Sequence, residues 1–194
     1  MQHSDAPWKE LARAENELGA MKAATDVRVR LEHWIEFMRA IDRLWNKAEG
    51  TFSRSPKWPA WGGRYIRMRR ADPLLSYLVQ ARNVEEHSPE PSAEARPMEV
   101  SIGGPSPDGA PTWLKGFAIG MNGEVLFRDG TTPIKVDPPS VEPKEVEQRG
   151  VRFKPPQSHL GEPISTDVIT MAEAGVAFYR TFLIAAEAKF VDAK

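Results

Sequence analysis

Cysteine is missing from all 194 residues. Its absence excludes disulfides, thiolate catalysis and cysteine-ligated zinc together. Histidine is scarce, with four in the chain. His3, His33 and His159 are scattered, and no metal-ligand spacing appears, so no metal and no cofactor is expected. A large net charge is also lacking. The formal value is -1, so the chain as a whole is not a polycation, and contact with nucleic acid would need a local patch. The segment 1–8 is polar and acidic rather than basic and then apolar, unlike a signal peptide. The apolar stretch Val176–Ala186 is broken by Arg180 and is far shorter than a bilayer requires. These absences together lead us to expect a cytoplasmic protein with no membrane partner. No glycine-rich phosphate loop follows a strand, and no internal repeat is visible.

What is present is 41% hydrophobic residues, unevenly organised. The first and last thirds are rich in Ala, Leu, Glu and Arg, and the middle is rich in Pro and Gly. Residues 5–24 read as a helix, with Ser4 or Asp5 as cap, Pro7 in the first turn and Leu11, Leu18 and Met21 at helical spacing. Thr25 and Asp26 look like a second cap. A long amphipathic helix follows, bearing Leu31, Trp34, Ile35, Met38, Ile41 and Trp45 on one face, with Gly50 as its stop. Whether these two helices are separate or continuous stays open on sequence alone.

Residues 50–71 carry Arg54, Lys57, Arg64, Arg67, Arg69 and Arg70 and not one acidic residue. Phe52, Trp58, Trp61 and Tyr65 are interleaved with them. Pro56, Pro59, Gly62 and Gly63 predict a loop here. Arginines on phosphates and tryptophans under bases would make Arg64, Arg67, Arg69, Arg70, Trp58 and Trp61 an RNA-binding surface. The competing reading is that Trp58 and Trp61 plug the end of a bundle while the arginines are solvated or pair with the acidic stretch 85–99. A charge run is usually a solvated face, which tilts the balance toward the second reading.

Asp72 and Pro73 open a third helix, as cap and first helical residue, and Pro89 and Pro91 require it to end by Ser88. After a Pro/Glu/Ser linker at 89–97 the hydrophobic period falls to two. Strands are expected at 98–102, 113–121 and 125–128, with Asn122-Gly123 as a hairpin turn. Weaker strands are expected at 134–136 and 151–154. A last helix from about Thr166 to Phe190 places Val168, Met171, Ala172, Gly175, Tyr179, Phe182, Leu183 and Ala186 on one side. That face is too apolar to stand alone, so it should return to the first three helices and complete a four-helix bundle. The expected fold is thus mainly α, one domain over 1–194. Its helical parts lie at 5–90 and 166–190, and a small antiparallel β insert lies at 98–160, between helices 3 and 4.

Within the third helix, Arg82 is followed directly by Asn83, and four residues separate Arg82 from His87. The same spacing class also includes Arg28–His33 and Arg152–His159. His33 falls inside a long helix, and Arg152–His159 straddles Pro155-Pro156 in a loop. Only Arg82–His87 has a polar residue beside the arginine and lies at a helix end. In that context the string resembles the HEPN superfamily, whose defining motif is an arginine, a polar residue and a histidine toward the end of a bundle helix. The resemblance covers the helical parts and not the β insert. It implies a HEPN-like four-helix bundle and a metal-independent endoribonuclease of the toxin or phage-defence type. Catalytic residues would be Arg82, Asn83 and His87, meeting their copies at a homodimer interface. Histidine is the natural proton-transfer group near neutral pH. Arginine offers a fixed two-pronged donor for a phosphorane-like transition state. Asn83 could orient His87, four residues on. Arg82 and His87 are about 140° apart on an ideal helix, so they would converge only if the helix frays near Ser88 or across a dimer. The alternative is a catalytically inactive HEPN-like module binding RNA, an antitoxin or another protein, with Arg82 and His87 serving as a cationic helix end.

Overall fold

The computed structural model describes residues 4–102, 117–119, 125–127 and 134–191. The described chain is mainly helical, with small antiparallel sheets. In order, it runs through α1 (Ala6–Ala23), α2 (Val27–Phe52), α3 (Trp58–Ala71) and α4 (Pro73–His87). Strands follow as β1 (Ala93–Arg96), β2 (Glu99–Ile102), β3 (Phe117–Ile119), β4 (Val125–Phe127) and β5 (Ile134–Asp137). Then come β6 (Ser140–Pro143), β7 (Val146–Gln148), β8 (Val151–Phe153), β9 (Ser158–His159), β10 (Glu162–Pro163) and finally α5 (Val168–Phe190).

The helix boundaries follow local chemistry. Asp26 accepts a hydrogen bond from the Arg28 amide, Asp72 from Leu75 and Asp167 from Thr170. Each satisfies an amide that an α-helix start leaves without a partner. Residues 24–26 break α1 from α2. Asp5, at the N-cap of α1, makes no side-chain cap bond. Helix α2 does not stop at Gly50 but runs on to Phe52. That ring is buried and stacks on Trp58 and Phe190, at centroid distances of 6.3 and 5.6 Å.

The expected loop over 50–71 is largely helix α3, so the described residues hold five helices rather than four. Pro59 falls in the first turn, where a missing amide costs nothing. Gly62 disfavours a helix by about 1 kcal/mol relative to Ala, but the Trp58 indole lies against its backbone. A Cβ there would stand 2.5 Å from Trp58 Cε2. The glycine read as a breaker is the space a core tryptophan occupies.

The chain divides into two compact units, Met1–Ala95 with Val141–Lys194, and Arg96–Ser140. Strands run from 93 to 163 between α4 and α5, the span expected for the β insert, and those from Val141 on group with the helices. In the helical unit, α5 packs on α1, α2 and α4, and every residue expected on its apolar face is buried. Against α1 it runs antiparallel. Trp8 donates to Glu187 at 2.6 Å, Arg180 donates to Glu15 at 2.7 Å, and Lys22 pairs with Glu173 at 2.6 Å. Each step of seven residues up α1 matches seven down α5, the repeat of a helix seam. By length and composition α5 could cross a membrane, contrary to the expectation from Val176–Ala186 alone, and half of its apolar window is buried inside the fold.

Hairpins β7–β8 and β9–β10 close the same unit. Their two-residue loops, Arg149-Gly150 and Leu160-Gly161, have positive φ throughout (54°, 78°, 51° and 90°). That backbone matches the twist of a tight hairpin. Tyr77 reaches from α4 to the loop carbonyls, donating to Lys144 O at 2.8 Å and lying 3.2 Å from Ser92 O. The second unit, described by itself, is a nest of two antiparallel pairs. Outer strands β2 and β5 align Glu99 with Asp137 and Ile102 with Ile134. Inner strands β3 and β4 align Phe117 with Phe127. The proposed turn at Asn122-Gly123 lies outside the described residues.

Candidate functional site

The residues singled out on α4 lie in its last two turns. The helix stays intact to His87, and the Ser88 amide still bonds to Val84 O at 2.8 Å. The end does not fray, so the roughly 140° between Arg82 and His87 on an ideal helix is not relieved within one chain. Arg82 Nη1 donates to Asn83 Oδ1 at 3.3 Å, and Nη2 lies 3.6 Å from Asp42 Oδ2 on α2. Arg82 Nε is buried with no hydrogen-bond partner among the described residues. Asn83 Nδ2 in turn reaches Gln80 at 3.5 Å. Asn83 is therefore engaged with Arg82 and Gln80, not with His87 as expected. His87 is exposed, and its ring makes no hydrogen bond among the described residues. Its neighbour Glu86 is held by Arg39 at 2.7 Å, and that bond keeps its carboxyl below the usual range.

The basic aromatic segment separates into an inside and an outside. Trp58 is 5% exposed and ringed by Trp45, Phe52, Trp61 and Phe190. Base stacking on Trp58 is thereby closed off. Trp61 is half-buried against Tyr65, Phe182 and Phe190. Arg69 lies over the Trp45 ring at 4.3 Å, donates to the Tyr179 hydroxyl at 2.9 Å and approaches Asp42 at 3.7 Å. It serves the core rather than a phosphate. Burial raises the Tyr179 hydroxyl above its ordinary pKa, which outweighs the opposing pull of Arg69. Arg64, Arg67 and Arg70 remain exposed. The bundle-plug reading thus describes Trp58, and the arginine row is split.

The structure also joins two residues that spacing kept apart. Asp72 is 8% exposed and works as more than a helix cap. Besides the Leu75 amide, its carboxylate takes the Leu160 amide at 2.6 Å and holds His159 Nδ1 at 2.9 Å. His159 sits on the β9–β10 hairpin, edge-on to Phe178 at 6.0 Å. Beside it a cavity of about 500 Å³ opens between α3, α5 and the hairpin. The one legible signal was Asp72 as a cap. Nothing local links positions so distant in the chain.

Among the described residues, no group of three or more His, Asp or Glu side chains is placed to hold a metal ion. No family model matches the chain, and no curated protein or solved structure shows significant similarity to it.

Proposed function

We propose that this chain is a HEPN-like helical module acting on RNA as a metal-independent endoribonuclease of the toxin or phage-defence type, cytoplasmic and working as a homodimer. In this reading α1, α2, α4 and α5 are the bundle helices and α3 is an addition. The observation that carries it is the state of the motif residues. His87 stands exposed, its ring without a hydrogen-bond partner among the described residues, at the end of an unbroken helix. Arg82 and Asn83 are bonded together little more than a turn earlier. An exposed imidazole can take the proton of an RNA 2′-hydroxyl, whose oxygen then attacks the adjacent phosphate, and the 5′-oxygen leaves with a proton returned by an imidazolium. An arginine can hold the charge that develops on the phosphate. Because one helix points the two residues to different sides, a second copy is needed to bring a histidine to an arginine.

The experiment is RNA cleavage in EDTA by the purified protein beside Arg82→Ala and His87→Ala, with molecular mass measured in solution. The reading expects cleavage by the wild type alone, and a dimer. Retained cleavage by both variants, or a monomer that cuts at full rate, overturns it. A second reading draws on Asp42, which already neutralises Arg82. It is an inactive module that binds RNA, an antitoxin or another protein. RNA binding without cleavage across a broad panel selects it.

A further inference from the structure

The cavity beside His159 belongs to neither the motif helix end nor its neighbours on α2. Its floor is apolar, formed by Tyr65 and Met68 of α3 and by Ala174, Phe178 and Phe182 of α5. At about 500 Å³ it falls within the range of small-molecule sites. Its polar groups are few, and among the described residues no acidic side chain lines it.

Two of those polar groups are pre-set. Arg64 lies over the rings of Trp61 and Tyr65, at 5.1 and 4.6 Å, and donates to the Tyr65 hydroxyl at 2.8 Å. It makes no ion pair among the described residues, so an oriented guanidinium charge stands uncompensated at an apolar mouth. His159 is locked through Nδ1 by the buried Asp72 carboxylate. That leaves Nε2 as its ring nitrogen without a hydrogen-bond partner among the described residues. A third feature is Leu160, held at φ 51° and 53% exposed at the cavity edge. The Asp72–Leu160 amide bond holds this turn, which sets an apolar side chain among the cavity's lining residues.

We infer that this cavity is a binding site for a small carboxylate with an apolar body, its head on Arg64 and its body along Tyr65, Phe178 and Phe182. Guanidinium favours a carboxylate because its paired N–H groups match the two oxygens. The uncompensated positive charge disfavours a cation, and the apolar walls disfavour a ligand that is polar throughout.

The test is calorimetric titration of the full chain with decanoate, decanol and decylamine as probes. Decanoate should bind at least tenfold more tightly than decanol, and decylamine should not bind. Arg64→Gln should weaken decanoate to the level of decanol while leaving decanol unchanged. Arg64 is exposed, so this change should leave the fold intact, as checked by circular dichroism. Ala177→Trp, at an exposed lining position of α5, should block both probes by filling the groove. No heat with decanoate overturns the inference. So does equal binding of decanoate and decanol, or unchanged decanoate affinity in Arg64→Gln. None of these outcomes depends on RNA cleavage.

Discussion

His159 Nδ1 lies 2.9 Å from Asp72 Oδ1, across 87 residues of sequence. One carboxylate thereby caps α4, fixes the β9–β10 turn through the Leu160 amide and orients an imidazole at a cavity. Asp72→Ala should therefore cost more than a lost cap. A cap alone is worth about 1 kcal/mol, and a further buried hydrogen bond adds roughly 1 kcal/mol. We expect a loss of about 2–3 kcal/mol in urea unfolding, and non-additivity with His159→Ala in a double-mutant cycle. Additive effects would show that the pair is not coupled.

Glu10 is fully shielded from solvent, yet Lys47, Arg43 and Arg13 all donate to it. Burial pushes its carboxyl up, but the hydrogen bonds from the three cations together outweigh this and leave it below its ordinary range. A depressed folded pKa contributes stability that is complete above the unfolded value and is lost as pH falls through the folded one. Stability should therefore decline in acid below about pH 4.5, and Glu10→Gln should flatten this limb. Near neutral pH, the same variant should be less stable by roughly 2 kcal/mol, because three half-exposed cations lose a shared anion. Denaturant midpoints between pH 7 and pH 3 measure both effects.

Glycines in helices should respond in opposite directions. Around Gly19 in α1 a Cβ meets nothing within 4 Å. Gly19→Ala should stabilise by about 0.5–1 kcal/mol through helix propensity and a less free unfolded chain. Gly62→Ala gains the same propensity but drives a methyl into the Trp58 ring. Overpacking costs about 1–3 kcal/mol, so the net change should be a loss of roughly 1 kcal/mol. Thermal melts of the two variants should move apart, and a rise for both would refute the close approach of Trp58.

Tyr77 is buried, and burial, with Glu85 adding to it, pushes its hydroxyl far above the ordinary tyrosine range. It remains a neutral donor at any working pH. Tyr77→Phe leaves the carbonyls of Lys144 and Ser92 without that donor. The expected cost is about 1–2 kcal/mol. Faster amide exchange should concentrate in Val141–Gln148, while α1 and α2 stay protected. Uniform loss of protection would show that Tyr77 supports the whole unit rather than its strands.

Several elements were legible because a local rule decided them. Asp26, Asp72 and Pro73 marked helix starts, and the apolar side of α5 was visible residue by residue. The pairing of β3 with β4 followed from period-two patterning on either side of a turn signal. Helix α3 was misread because Pro59 and Gly62 look like breakers until packing is known. Proline at a helix start is harmless, and Gly62 is where Trp58 lies. The site followed the same division. Arg82, Asn83 and His87 could be placed on a helix end from spacing. Their partners could not, since Asp42 comes from another helix and Asn83 turns to Gln80 rather than to His87.

The sequence by itself determined a mainly helical protein with a strand-rich interruption, because capping and hydrophobic period act within a few residues. Only tertiary structure decided which charges are free. Arg69 and Arg64 stand five residues apart in one basic run. The first is folded over Trp45 and bonded to Tyr179 on α5, and the second is left at the mouth of a cavity. That difference depends on what α2 and α5 bring to each position. A burial cost or a charge partner is set by neighbours in space, and no local pattern records them.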